Sequence, residues 1–183
     1  MMPEISLNVL DVAQNSVTAG AQLTEIGVTA DREADTLVFT IRDNGRGMTP
    51  EQVAKVTDPF FTTRTTRKVG LGIPFFKMAA EITGGRFHIE STLGVGTKTT
   101  AVFGLSHIDR MPVGDIAGTM TALIGANPDI DFVLRYSVEG NGFISDTREM
   151  RQALEGIPLS EPEVLSYITK FINENIEALG PRF

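Results

Sequence analysis

The chain of 183 residues has no cysteine and only two histidines, His88 and His107. Without cysteine it can form no disulfide, no thiolate nucleophile and no cysteine-held zinc or iron–sulfur centre. Two histidines are too few for a histidine-built metal site. No apolar run is long enough to span a bilayer, and no basic segment precedes an apolar one as in an export signal. These absences predict a cytoplasmic protein that does not act at a membrane.

Charge is modest and unevenly distributed. Charged residues make up 21% of the chain and hydrophobic residues 42%, which is ordinary for a folded globular protein. Residues 1–106 contain ten basic and eleven acidic residues, and residues 107–183 contain six and twelve, which accounts for the net charge of −7. Because no domain-wide basic surface exists, nucleic acid is not an expected partner. The one local basic cluster is Arg64, Arg67 and Lys68.

Hydrophobic periodicity predicts an ordered series of helices and strands. The predicted elements before residue 107 are a helix over 4–19, strands at 23–30 and 36–42, a short helix capped by Thr49 with Pro50 in its first turn, a helix over 71–83, and strands at 86–91 and 97–105. Those after it are a helix within 113–128, a strand at 131–138, a short return strand at 143–145, a helix capped by Asp146, and a final helix over 161–179. We therefore divide the chain into a domain of residues 1–106 and an acidic α+β extension of residues 107–183.

Three G-x-G triplets occur in residues 1–106, and each alone is weak evidence for a ligand-binding loop. They are Gly45/Gly47, Gly70/Gly72 and Gly94/Gly96, and their flanking sequences differ too much for a repeat. Neither of the first two begins the G-x-G-x-x-G fingerprint of dinucleotide-binding folds. The stretch DNGRGM also lacks the alternating oxygen ligands of a calcium loop. A turn or a flexible helix entry explains each triplet taken singly.

The order of the polar pieces is more informative than any one of them. On the first helix Asn8, Asp11 and Asn15 fall on one face, where a solvated polar face is the alternative. Asp43 ends a strand just before two glycines, where a simple turn is the alternative. The segment DPFFTTR follows, then VGLGIPFF at a helix start, where backbone N–H groups hold phosphate well. The series closes with GVGTKTT.

In this order the motifs resemble the ATP-binding domain of the GHKL superfamily, the Bergerat fold of gyrase-type topoisomerases, mismatch-repair ATPases, heat-shock chaperones and sensor histidine kinases. DVAQNSVTAGA resembles the N box, DNGRGM the first glycine box, DPFFTTR the phenylalanine box of histidine kinases, GLGI the second glycine box and GVGT the last. The resemblance covers roughly residues 5–105. It implies an α/β two-layer sandwich, with a mixed, mostly antiparallel sheet backed by helices and an α+β C-terminal extension.

The resemblance also implies a binding site for ATP and Mg²⁺. Asp43 would accept a hydrogen bond from the exocyclic amino group of adenine, and Asn15 would offer its side-chain oxygen to Mg²⁺. Thr97 would support the Asp43 side of the pocket. The remaining implied nucleotide contacts are Gly45, Gly47 and Met48 of the first glycine box, Phe61, Thr62 and Thr63 of the phenylalanine box, and Gly70, Leu71 and Gly72 at the helix start. Residues 57–69 would form a short lid, whose basic cluster would reach the triphosphate or remain solvated.

Asp11 is the expected catalytic residue. Hydrolytic members of the superfamily carry a glutamate at this position of the N box, which acts as general base on the attacking water. Many sensor kinases carry asparagine there and transfer the phosphoryl group to a histidine. The aspartate of this chain is a carboxylate one methylene shorter, so hydrolysis and binding without turnover both stay open.

Three functions are compatible with these residues. The first is a Mg·ATP-binding module, a weak ATPase or ATP-dependent regulator, that acts through a protein partner. The second is a kinase acting in trans on serine or histidine, like the anti-sigma factors, and the third is an ATP-gated binding protein without catalysis. Because the N box begins close to Met1, we expect a stand-alone module without a phosphoacceptor helical hairpin. The oligomeric state is left open.

Overall fold

A computed structural model describes residues 3–57, 72–181 and 183. The described chain contains six helices and six strands. The helices are α1 Ile5–Thr18, α2 Pro50–Val56, α3 Gly72–Glu81, α4 Ile116–Ala126, α5 Thr147–Leu154 and α6 Pro162–Ala178. The strands are β1 Leu23–Asp31, β2 Thr36–Asp43, β3 Arg86–Thr92, β4 Gly96–Gly104, β5 Asp131–Val138 and β6 Asn141–Asp146.

The six described strands form one sheet in the order β3-β4-β2-β1-β5-β6. Every neighbouring pair is antiparallel except β1 and β5, which run parallel. This confirms the mixed, mostly antiparallel sheet expected from the sequence. The register places Asp43 of β2 opposite Thr24 of β1 on one side and opposite Thr97 of β4 on the other. One row of the sheet therefore brings these three side chains together.

One face of the sheet is apolar and covered by helices. β1 buries Thr24, Ile26, Val28 and Ala30, every second residue, as a strand with one covered face should. Helices α1, α3, α4 and α6 contribute to the same hydrophobic cluster as these strand residues. Its central aromatic contact joins Phe39 of β2, Phe103 of β4 and Phe76 of α3, with ring centroids 5.9 to 6.3 Å apart. Burying each ring stabilises the fold by roughly 1.5–3 kcal/mol.

Residues 107–183 belong to this same sheet and core. β5 pairs with β1 over eight residues and β6 continues the sheet outward, so the hairpin extends the sheet instead of forming a separate layer. Helix α6 buries Ile168, Ile172 and Ile176, which recur every four residues on one face. The segment between β4 and α4 also caps the start of α1. The carbonyl oxygens of Pro112 and Val113 accept hydrogen bonds from the amides of Ile5 and Ser6 at 3.0 and 2.9 Å.

The predicted elements agree with the observed ones to within a few residues at their ends. Thr49 forms a capping box with Gln52 at the start of α2, with Pro50 in the first turn. Asp146 accepts a hydrogen bond from the amide of Arg148 and caps α5 as expected. The largest difference is β6, which covers six residues, since backbone pairing with β5 includes polar residues that the apolar pattern does not mark. Across the described residues no helix has the length and apolarity needed to cross a bilayer.

Candidate functional site

The Asp43 carboxylate is held by two neutral donors. Its Oδ1 accepts a hydrogen bond from the amide of Gly45 at 2.9 Å, and its Oδ2 accepts one from the Ser16 hydroxyl at 2.8 Å. Ser16 lies on the buried face of α1, so the helix and the strand end grip the same carboxylate. No cation among the described residues forms an ion pair with Asp43. The two hydrogen bonds therefore fix the direction of the carboxylate, and neither donor neutralises its charge.

The glycines after Asp43 are required by the protein's own backbone. Gly47 has a φ of +65°, and a Cβ there would collide with the carbonyl oxygen of Thr92. A Cβ on Gly45 would lie 2.9 Å from the Cβ of Ala19. The family resemblance implies that both glycines contact the nucleotide. The close approach that the structure shows is between this loop, the end of α1 and the β3–β4 turn, and that packing fixes the Gly45 amide against Asp43.

A serine that was not among the expected site residues, Ser91, links Thr97 to Met48 by hydrogen bonds. The Ser91 hydroxyl accepts a hydrogen bond from the Met48 amide at 2.8 Å and lies 2.8 Å from the Thr97 hydroxyl. Ser91 and Thr97 are opposite each other on β3 and β4, and Thr97 is opposite Asp43 on β2. Thr97 thus lies opposite Asp43 on the neighbouring strand, and Ser91 links it to the Met48 amide.

Asp11 and Gly72 also come together. A Cβ added to Gly72 would lie 3.0 Å from the Cβ of Asp11 and 3.4 Å from its carboxylate oxygen Oδ2. The first residue of α3 therefore packs directly against the N box helix, and a larger residue would displace the Asp11 side chain. Asn15 lies one turn further along α1 on the same side as Asp11, next to Ser16. Gly72 of the second glycine box therefore lies beside the N box helix.

Asn8 departs from the expectation of a polar face shared with Asp11 and Asn15. It is only 1% exposed, and among the described residues neither its amide nitrogen nor its amide oxygen has a hydrogen-bond partner. The helical spacing was correct, but α3 and α4 pack against α1 and bury this side of its first turns. The solvated-face interpretation is therefore wrong for Asn8.

Five of the expected contacts lie outside the described residues. They are Phe61, Thr62, Thr63, Gly70 and Leu71, together with the basic cluster of the expected lid. Within the described ranges, no group of three or more acidic or histidine side chains is arranged to hold a metal ion.

The polar row around Asp43 includes residues that sequence reasoning missed. Ser16 directly follows Asn15, and Thr24 and Ser91 occupy strand positions whose neighbours along the chain alternate in burial. Each is an ordinary residue for its element, so composition gave no signal. One signal could have identified the two strand residues. Both are polar, both occupy inward-facing positions, and both lie at the same end of neighbouring strands as Asp43.

The fold and the site define a nucleotide-binding class. The model of the family described as histidine kinase-, DNA gyrase B- and HSP90-like ATPase matches residues 4–107, more than half of the chain. The chain belongs to this family, and residues 4–107 form its ATP-binding domain. The match ends where the connector to β5 begins, so the extension lies beyond it.

Relatives and solved structures agree with this assignment. Sensor protein SrrB of Staphylococcus aureus is 33% identical over 101 residues, which cover 52% of this chain and 17% of that protein. The chain thus corresponds to about a sixth of this relative's length. The MutL ATPase domain of Aquifex aeolicus complexed with ADP superposes with a TM-score of 0.50 at 13% identity, covering 85% of this chain and 70% of that one. The N-terminal domain of a DNA repair protein gives 0.52 at 15% identity, covering 79% and 52%. These two likenesses show the GHKL fold.

Proposed function

We propose that the chain binds Mg·ATP and uses the bound nucleotide to regulate a protein partner, with slow hydrolysis. The observation that carries this proposal is the Asp43 carboxylate, oriented by the Gly45 amide and the Ser16 hydroxyl and paired with no cation among the described residues. A fixed acceptor of this kind suits a neutral N–H donor such as the amino group of adenine. Guanine carries a carbonyl oxygen at that position, which would repel the carboxylate.

The oxygen atoms on α1 fit Mg²⁺ that arrives with the nucleotide. Mg²⁺ usually keeps several waters and is bound through one or two protein oxygens plus substrate phosphates. Asn15 supplies an amide oxygen, and Asp11 lies on the same side of the helix one turn away. When bound, the ion would neutralise phosphate charge, and Asn15 is the protein residue that would hold it. The N-terminus of α3 lies beside Asp11 and favours a phosphate there.

Hydrolysis is proposed to depend on Asp11. Its carboxylate would accept a proton from the water that attacks the terminal phosphorus, while the bond from that phosphorus to the bridging oxygen breaks and releases ADP. An aspartate reaches about one methylene less far than a glutamate, and this is the reason for proposing slow turnover. Gly72 keeps Asp11 close to the start of α3, where the phosphates would lie.

A kinase acting on a polypeptide is the second candidate. The description of the matching family names histidine kinases, which supports phosphoryl transfer to another protein as a candidate. In either case the partner would dock on this chain, and the extension offers Ile144, Ile157 and Tyr167, each more than half exposed. The third candidate, an ATP-gated binding protein, needs binding and no turnover.

Isothermal titration calorimetry with Mg·ATP tests the binding proposal. We expect heat from the wild type, and at least about 100-fold weaker binding by Asp43→Asn, because an asparagine amide turns a donor or a weaker acceptor toward the base. Asp109→Asn is the matched control, since it removes the same charge from an exposed loop and should bind normally. Tight binding of ATP by Asp43→Asn would remove the adenine assignment.

Labelled ATP separates the three candidates. The protein is incubated with ATP labelled at the terminal phosphate, alone and with cell extract. Free phosphate supports the ATPase, a labelled polypeptide supports the kinase, and neither product with tight binding supports the gated binding protein. We expect Asp11→Asn to bind Mg·ATP and to lose hydrolysis; unchanged turnover would show that Asp11 is not the base.

A further inference from the structure

Thr24 is a buried polar residue of the row around Asp43, and its hydroxyl has been given no role so far. It lies on β1, is 0% exposed, and its hydroxyl oxygen has no hydrogen-bond partner among the described residues. An unpartnered buried hydroxyl costs about 1–3 kcal/mol, and valine would fill the same volume on a strand without that cost. We therefore expect the Thr24 hydroxyl to have a hydrogen-bond partner.

The register puts Thr24 beside Asp43. The two residues are opposite each other on antiparallel strands, and both belong to the set of alternate residues that faces the helices. The Asn44 amide donates to the carbonyl oxygen of Leu23, so the next pair, Thr24 and Asp43, is of the type without backbone hydrogen bonds. In such pairs the Cα atoms are about 4.5 Å apart and the side chains are at their closest.

A single buried water would satisfy both of these side chains. The structure contains no direct hydrogen bond from the Thr24 hydroxyl to Asp43, although the two side chains are neighbours on one face. Two polar groups that face each other beyond direct reach are commonly bridged by water, which needs two to four polar partners. Thr24, the Asp43 carboxylate and the Ser16 hydroxyl oxygen supply three, because Ser16 donates its own proton to Asp43 and keeps its lone pairs.

We propose that Thr24 is a positioning residue for Asp43, acting through one buried water that it holds against the carboxylate. The inference rests on the proposed binding of ATP and adds a residue to that site. Thr24 itself is inaccessible to a ligand, so its role is to set the direction of the carboxylate that meets the base. The Asp43 carboxylate would then accept hydrogen bonds from three neutral donors: the Gly45 amide, the Ser16 hydroxyl and the water held by Thr24.

Matched threonine variants test the proposal by their nucleotide selectivity. Thr24→Val keeps shape and removes the hydroxyl, Thr24→Ser keeps the hydroxyl, and Thr29→Val makes the same change at an exposed position of the same strand. Calorimetry with Mg·ATP and Mg·GTP should show that Thr24→Val weakens ATP binding about tenfold and narrows the preference for ATP. Thr24→Ser and Thr29→Val should stay within about twofold of the wild type. A Thr24→Val protein that binds ATP as the wild type does would overturn the proposal.

A second measurement does not depend on nucleotide binding. A crystal structure of the nucleotide-free wild type at a resolution that shows waters should place one within about 3.2 Å of both the Thr24 hydroxyl and an Asp43 oxygen. A direct contact between the two side chains, or a dry gap, contradicts the inference. A wild type that holds this water and gives no heat with Mg·ATP would refute the proposed function and leave the bridge to Asp43 established.

Discussion

Two aspartates that each end a strand of the sheet, Asp43 on β2 and Asp146 on β6, have opposite surroundings. The Asp146 carboxylate is contacted by the guanidinium of Arg148 through both oxygens at 2.7 to 3.2 Å and also caps α5. Hydrogen bonding from the Arg148 side chain, the largest cause, holds the pKa of Asp146 below its ordinary value. Within residues 3–57, 72–181 and 183, the Asp43 carboxylate accepts hydrogen bonds from one amide and one hydroxyl.

The difference distinguishes a carboxylate that is paired within the fold from the carboxylate that we propose binds adenine. Elsewhere in the extension, Asp131 is likewise paired with a cation of the same segment, Arg151, at 2.9 Å. At the end of β2 the donors are neutral, so they orient the charge without cancelling it. A carboxylate oriented by neutral donors suits a ligand, whereas one already paired with a guanidinium contributes to the fold.

The largest expected effect comes from disturbing the loop that holds Asp43. Gly47→Ala should lower the free energy of unfolding by about 3 kcal/mol or more, because a Cβ collides with the Thr92 carbonyl and the φ is positive. Chemical denaturation measures this. The control is Gly94→Ala, which also has a positive φ but open space around it and should cost only roughly 1–2 kcal/mol. Equal costs for the two variants would contradict the packing explanation.

Removing the paired carboxylate should have a smaller effect and a different one. Asp146→Ala loses the α5 cap and leaves Arg148 without its partner, and we expect it to cost about 2 kcal/mol in unfolding. Its affinity for Mg·ATP should equal that of the wild type, whereas Asp43→Asn should bind Mg·ATP much more weakly. Weakened ATP binding by a folded Asp146→Ala would break the distinction between the two aspartates.

The smallest expected effect is the pH dependence of the Asp146 contribution. A carboxyl group whose pKa is lower in the folded state stabilises the fold above its unfolded pKa, and that contribution is lost as the pH falls through the folded pKa. Compared with Asp146→Asn, which can still cap α5, the wild type should be more stable by about 1 kcal/mol at neutral pH. Denaturation at a series of pH values should show this excess declining below about pH 4. An excess that is constant down to pH 2 would exclude the Arg148 interaction as its source.

The sequence predicted what depends on near neighbours. Thr49 and Asp146 were recognisable as caps, and β5 was recognisable as a strand, because each signal lies within a few residues. The parallel pairing of β5 with β1 was not predictable, since a strand pattern does not name its partner. The bond from Ser16 to Asp43 joins residues 27 apart, and the need for glycine at 47 arises from Thr92. The burial of Asn8 was not predicted for the same reason. Helical spacing shows which residues share a face of the helix, but it does not show what packs against that face.

The parallel pairing of β1 with β5 has a consequence for the chain as a polypeptide. Residues 4–107 alone would leave β1 as an edge strand, with eight residues from Leu23 to Ala30 that β5 otherwise accompanies. An uncovered edge of this length recruits strands from other molecules, which leads to aggregation. The hairpin of the extension thus shields the ATP-binding domain from self-association, and a fragment that ends before β5 should be recovered as aggregate while the full chain stays dispersed.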